Sequence, residues 1–141
     1  MDVITTRFGR LSIDPEDLLT FEQGIIGLRD LRRWLVLADS QNALLGWLQS
    51  VDSAETALGI VNPRRFLPDY RVRVGRRDIQ TLQLTHVRDA HVLAVISRSA
   101  GGLSLNLRAP LVVNVEGRCG CQVIARDDYP VKFLLAEPAS E

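Results

Sequence analysis

The chain has no apolar run long enough to cross a bilayer. Stretches such as 34–38 and 92–96 fall far short of the roughly 18 to 20 residues that a spanning helix needs. It has no excess charge of either sign, with 17 basic residues against 17 acidic ones, and so lacks the basic surplus of a dedicated nucleic-acid binder. Only two cysteines occur, too few for a disulfide scaffold. The opening Met1-Asp2-Val3-Ile4-Thr5-Thr6-Arg7 has no basic segment followed by an apolar one, so a cytoplasmic protein without an export signal is expected, its thiols reduced. Lys132 is the sole lysine, a bias that carries no functional meaning. No G-x-x-x-x-G-K-[ST] loop, G-x-G-x-x-G fingerprint or G-x-S-x-G elbow is present, which leaves nucleotide binding and serine-hydrolase chemistry without support.

What is there is an ordinary globular composition, 46% apolar and 24% charged over 141 residues. That length suits one domain able to bury about two-thirds of its unfolded surface. Period-two alternation and short apolar runs recur between turn residues, the pattern of a sheet protein. Strands are predicted over 3–8, 10–13, 18–21, 34–38, 45–50, 57–61, 70–74, 91–97, 104–107, 111–115 and 119–125. Turns are expected at 7–10 and 99–102, where glycine supplies positive φ, and a further short turn at 28–33. One short helix is expected near 76–84, with Asp78 capping and Ile79 and Leu82 on one face. In the strand 91–97, Val92, Ala94 and Ile96 alternate with Leu93 and Val95, so both faces should be covered and the strand internal. The resulting class is all-β: a small, single-domain, barrel-like sheet of short, mainly antiparallel strands, closed because closure removes edges. The domain is expected over 1–136, with 137–141 as a flexible tail.

Few residues carry chemistry. His86 and His91 are the only candidate bases and read as structural histidines. Cys119 and Cys121 share one face of a strand; with the two histidines they make a formal zinc set whose spacing does not fit the usual motifs, and the alternative is two small buried hydrophobes. Arg64, Arg65, Arg71, Arg73, Arg76 and Arg77 form a basic cluster opposed by Asp69 and Asp78. It reads as a solvated face, with an RNA-binding β module as the alternative function. Asp14, Glu16, Asp17 and Glu22 form an acidic cluster suited to a charged protein partner. The glycine-bounded Gly24-Ile25-Ile26-Gly27-Leu28 reads as a structural loop, and exposed isoleucines there would mark a binding patch. No catalytic, metal or cofactor site emerges, and a binding module remains.

Several motifs are similar, in order, to those of the flagellar assembly factor FliW family. Thr6-Arg7-Phe8-Gly9 with Leu11 and Ile13 resembles its start, and 21–28 resembles F-P-E-G-L-P-G-F. Leu48-Gln49-Ser50-Val51-Asp52 matches L-Q-S-V-D. Asn62-Pro63, Phe66 and Pro68-Asp69-Tyr70 match N-P-x-x-F-x-P-D-Y, while Asn106-Leu107-Arg108-Ala109-Pro110 and Gln122-Val123 match N-L-x-A-P and the following Q-V. The resemblance spans about residues 4–135. It implies a non-enzymatic regulator without cofactor, membrane or direct nucleic-acid contact. Such a protein captures CsrA, the RNA-binding repressor of flagellin translation, and alternatively binds flagellin. The family's two prolines are replaced within 22–26, and its closing phenylalanine is Leu28, so this loop is less stiff. The even charge also departs from the acidic balance of the family. Matched apolar positions, Leu48, Val51, Ile60, Leu111 and Val113, are expected in the core. Asn62, Pro63, Phe66, Pro68, Asp69 and Tyr70, with Asn106, Leu107, Arg108 and Pro110, are the expected exposed partner-binding residues. Phe66 and Tyr70 would be aromatic anchors, and the alternative for Asn62 and Asp69 is turn capping.

Overall fold

The structure, a computed structural model, describes residues 1–99 and 101–135. Strands β1 (Asp2–Thr5) and β2 (Gly9–Ser12) form a separate hairpin. It turns through 6–8, where Thr5 Oγ1 accepts from the Phe8 amide and donates to the Gly9 carbonyl. The remaining strands are β3 (Leu19–Thr20), β4 (Arg33–Ala38), β5 (Gly46–Ser50), β6 (Ala57–Val61), β7 (Ala90–Ser99), β8 (Gly102–Asn114), β9 (Cys119–Gln122) and β10 (Phe133–Leu134). They pair in the order β10-β8-β7-β6-β5-β4-β3-β9, and β9 pairs back onto β8. Strands β3 to β9 therefore close into a seven-stranded barrel with β10 outside the ring. All its ladders are antiparallel except the Thr20–Cys119 bridge between β3 and β9.

The interior is packed rather than open. Leu19, Phe21, Trp34, Leu48, Ile60, Leu111 and Val113 fill it, and the Phe21 ring lies 2.5 Å from where a Cβ at Gly120 would sit, so only glycine fits β9 there. Val51, by contrast, is half-buried. Alternation along β7 sends Leu93 and Val95 inward, while Val92, Ala94 and Ile96 pack outward under Leu67, Tyr70, Val72, Tyr129 and Phe133. As expected of an internal strand, β7 is covered on both faces.

Three sequence expectations are corrected, and the helix expected near 76–84 is present, of 3₁₀ type. Segment 70–74 keeps its alternation of exposed and covered side chains but joins no ladder; Tyr129 Oη takes the Arg71 amide and the Arg73 carbonyl takes the Arg126 amide instead. The two strands expected at 104–107 and 111–115 are one, β8. Leu93 pairs with Leu111 and Val95 with Asn106, so Leu107, Arg108, Ala109 and Pro110 bulge opposite the single Ala94. Proline survives in mid-strand because at a bulge its missing N–H is not needed. The helix is a 3₁₀ helix, Arg76–Leu82. Asp78 Oδ2 accepts from the Gly75 amide at 2.8 Å, and three residues per turn set Ile79 above Leu82, both against β8 and β9. Finally, β9 stops at Gln122, where its partner enters the bulge, although Val123 and Ala125 still donate to the Pro110 and Arg108 carbonyls. Ala100 of the expected 99–102 turn and the expected tail 137–141 lie outside the described residues.

Candidate partner-binding surface

The two motifs that resemblance singles out meet at one corner. Asn62 follows β6 and its Oδ1 accepts from the Arg64 amide at 3.0 Å, starting a 3₁₀ turn, Pro63–Arg65, with proline at the position that needs no N–H. Leu67 donates back to the Pro63 carbonyl and Tyr70 to the Leu67 carbonyl. Arg64 Nε bonds the Tyr70 carbonyl at 3.1 Å, closing the loop on itself. Tyr70 is 1% exposed; its hydroxyl donates to the Leu107 carbonyl at 2.6 Å, and its ring lies 4.6 Å from that of Tyr129. Burial, and secondarily Tyr129, drives its hydroxyl far above the usual phenol range.

On the facing side, Asn106 Oδ1 accepts from the Arg108 and Ala109 amides and shapes the bulge. Gln122 Nε2 donates to the Ala109 carbonyl at 3.0 Å while its Oε1 accepts from the Ile26 amide at 2.7 Å. One side chain thus ties the 24–28 loop to the bulge. In that loop Ile25 is buried in the barrel core and Ile26 is exposed. A Cβ at Gly24 would sit 2.5 Å from the Arg29 backbone, and φ there is +70°, so the turn requires glycine.

Placement divides the expected partner-binding residues. Asn62, Phe66, Pro68, Asp69 and Arg108 are exposed and Asn106 is half-buried. Pro63, Tyr70, Leu107 and Pro110 are buried, which corrects the expectation that they line the surface. Tyr70 holds the corner from within, whereas Phe66, 36% exposed, is the one of the two aromatic side chains that reaches solvent. Asn62 caps its turn, the alternative the sequence left open. Beside the loop a groove of about 320 Å³ is lined by Asn62, Arg64, Tyr70, Val72, His91 and Leu93. Sequence reading did not single out Asp128 and Tyr129, which complete the corner. Asp128 faces Arg108 at 3.8 Å with its side chain in solvent; a turn signal, Asp127-Asp128-Tyr129-Pro130, was the only trace of them.

The other candidates do not assemble. Cys119 and Cys121 do share a face, their thiols donating to the Leu82 and Asp78 carbonyls of the 3₁₀ helix. Burial, with Cys119 and Asp78 adding, lifts the Cys121 thiol to about 11, and burial with Glu22 also raises Cys119; protonated thiols are poor nucleophiles and ligands. His86 and His91 are exposed, not structural histidines of the core. Among the described residues no group of three or more His, Cys, Asp and Glu side chains is placed to hold a metal ion, and no helix is long and apolar enough to cross a membrane. The arginine cluster is dispersed: Arg64 bonds the Tyr70 carbonyl, Arg73 faces Asp127 at 3.6 Å, and Arg76 and Arg77 start the 3₁₀ helix. Among the described residues the corner presents apolar, amide and charged groups.

Comparison with known proteins follows the same residues. The family model for FliW protein matches residues 2–135. A flagellar assembly factor FliW of Bdellovibrio bacteriovorus is 32% identical over 140 residues, covering 98% of this chain and 78% of that protein. One from Desulfotalea psychrophila is 34% identical over 137 residues, covering 96% and 91%. A crystal structure of the flagellar assembly factor FliW superposes with a TM-score of 0.85 at 27% identity, covering 94% of each chain.

Proposed function

The chain belongs to the FliW family of flagellar assembly factors, and we propose that it is a cytoplasmic protein-binding regulator rather than an enzyme. It binds CsrA, relieving repression of flagellin messenger RNA, and binds flagellin in its place. Because the two partners exclude one another, flagellin returns CsrA to its RNA only to the extent of its own affinity for this protein. The observation that carries the reading is the convergence of the 62–70 and 106–110 motifs on one corner, through Tyr70 Oη and the Leu107 carbonyl. Buried members hold the corner rigid and Phe66 stands outside it. A preorganised surface binds without the cost of ordering a loop.

Calorimetric titration with CsrA from the same organism, repeated after saturation with flagellin, tests the switch. Binding that flagellin abolishes is the expected result, and a protein that binds neither partner overturns it. Phe66→Ala is expected to weaken at least one partner by about 1 kcal/mol or more while leaving the fold intact. Unchanged affinity for both partners removes Phe66 as an anchor.

A further inference from the structure

Two recesses lie away from the corner motifs. One, of about 500 Å³, is a trough over Gly59, which offers no side chain between Trp47 of β5 and Ile96 of β7. Ala57 continues the gap, and Arg7 and Arg98 stand at its rim. The other, of about 590 Å³, lies where β3 and β9 close the barrel, and its walls are polar. Thr20 and Glu22 come from β3 and the segment after it, Gln80 and Thr81 from the 3₁₀ helix, and Gln83 is the residue that caps that helix. The β8–β9 turn and β9 supply 117–120.

This second pocket is held in shape by the fold itself. The buried Asn114 joins two of its walls, donating from Nδ2 to the Leu82 carbonyl at 2.8 Å and accepting at Oδ1 from the Gly117 amide at 3.3 Å. The Thr20 amide donates to the Arg118 carbonyl at 3.0 Å. Among the described residues only two other than glycine have a positive φ, Gln83 at +48° and Arg118 at +53°, and both line this pocket. A left-handed backbone at such residues persists only where the surroundings impose it, and it gathers at binding sites.

The charges of the pocket are unspent. Arg77 and Glu22 are exposed, and among the described residues neither side chain makes an ion pair or a hydrogen bond. Arg118 gives Nη2 to the Asp17 carbonyl, while its Nε is buried without an acceptor. The Glu22 carboxylate lies close enough to Cys119 to add to burial in raising that thiol. A simple anion here would face Glu22, and a simple cation would face two arginines. Unpaired charges of both signs around one polar pocket therefore suit a ligand that carries both.

We propose that this pocket binds a small zwitterion of the free amino acid class, its carboxylate against Arg77 and Arg118 and its ammonium against Glu22. The amides of Gln80 and Gln83 and the hydroxyl of Thr81 can hydrogen-bond a polar side chain of that ligand. The site shares no residue with the corner, so it stands whether or not the partner switch does.

Amide correlation spectra of the full chain, titrated separately with L-glutamine, L-serine and L-glutamate, test it. At least one amino acid is expected to give saturable shifts at Thr20, Gln83 and 117–120. Acetate and ethylamine, each with a single charge, are expected to bind about tenfold more weakly or less. Arg77→Gln and Glu22→Gln alter exposed side chains, so each is expected to weaken the amino acid about tenfold while the melting temperature of the free protein stays the same. Absence of saturable shifts with all three amino acids overturns the site. Acetate or ethylamine binding as tightly as the amino acid overturns a zwitterion as its ligand, and so does unchanged affinity in either variant.

Discussion

The corner around Tyr70 and the trough over Gly59 are two ways of making a surface on the same barrel. At the corner five side chains serve the fold: Asn62, Arg64, Tyr70, Asn106 and Gln122 each bond backbone groups of the loop or the bulge. At the trough the reverse holds, since the opening exists because Gly59 and Ala57 contribute almost nothing. The difference teaches that a recognisable run of residues marks where a fold needs holding as readily as where it binds. Leu48-Gln49-Ser50-Val51-Asp52 behaves like the corner: Gln49 Nε2 reaches four carbonyls of the β5–β6 turn, Ser50 Oγ accepts two of its amides, and Asp52 pairs with Arg33.

If the corner is a structural device, its buried members should govern stability. Tyr70→Ala is expected to cost about 3 to 5 kcal/mol from the lost ring alone, read by urea denaturation; a cost below 1 kcal/mol would place the corner's rigidity elsewhere. Alkaline pH probes the buried groups next. The Tyr70 hydroxyl and the Cys121 thiol both hold their protons more tightly folded than unfolded, the latter at about 11 against an ordinary 9.0. The folded state then binds more protons, so stability is whole below pH 9 and falls as pH rises from there toward 11. Melting temperatures across that range should drop, and less steeply in Cys121→Ala; equal slopes would show that this thiol does not contribute. The smallest effect is expected at the rim, where Arg108→Ala removes a solvent-exposed pair with Asp128 and should change stability by less than about 0.5 kcal/mol.

Much of this was legible in the chain because it depends on neighbours in sequence. Alternation marked β7 with its two covered faces, Gly9 the first hairpin turn, and Ile79 with Leu82 the short helix, though not its 3₁₀ type. Cys119 and Cys121 fell on one face because strand geometry has period two. Segment 70–74 shows the limit: its alternation resembles that of a strand, but a ladder needs a partner edge, and its bonds to other backbone are the isolated ones from the Tyr70 amide to Leu67 and from Arg126 to the Arg73 carbonyl. The exposure of Pro63, Tyr70, Leu107 and Pro110 was misjudged for a related reason, since burial depends on what covers a residue from elsewhere in the chain.

By itself, then, the sequence determined the strand-rich class, the local turns, the apolar faces and the family, all of them properties of residue type and spacing. Only the tertiary structure decided which strands close the expected barrel, β9 onto β8, that four residues of β8 bulge opposite Ala94, and that an arginine-rimmed trough opens over Gly59. Those features arise where strands distant in sequence come into register, and register is set by the packed core as a whole.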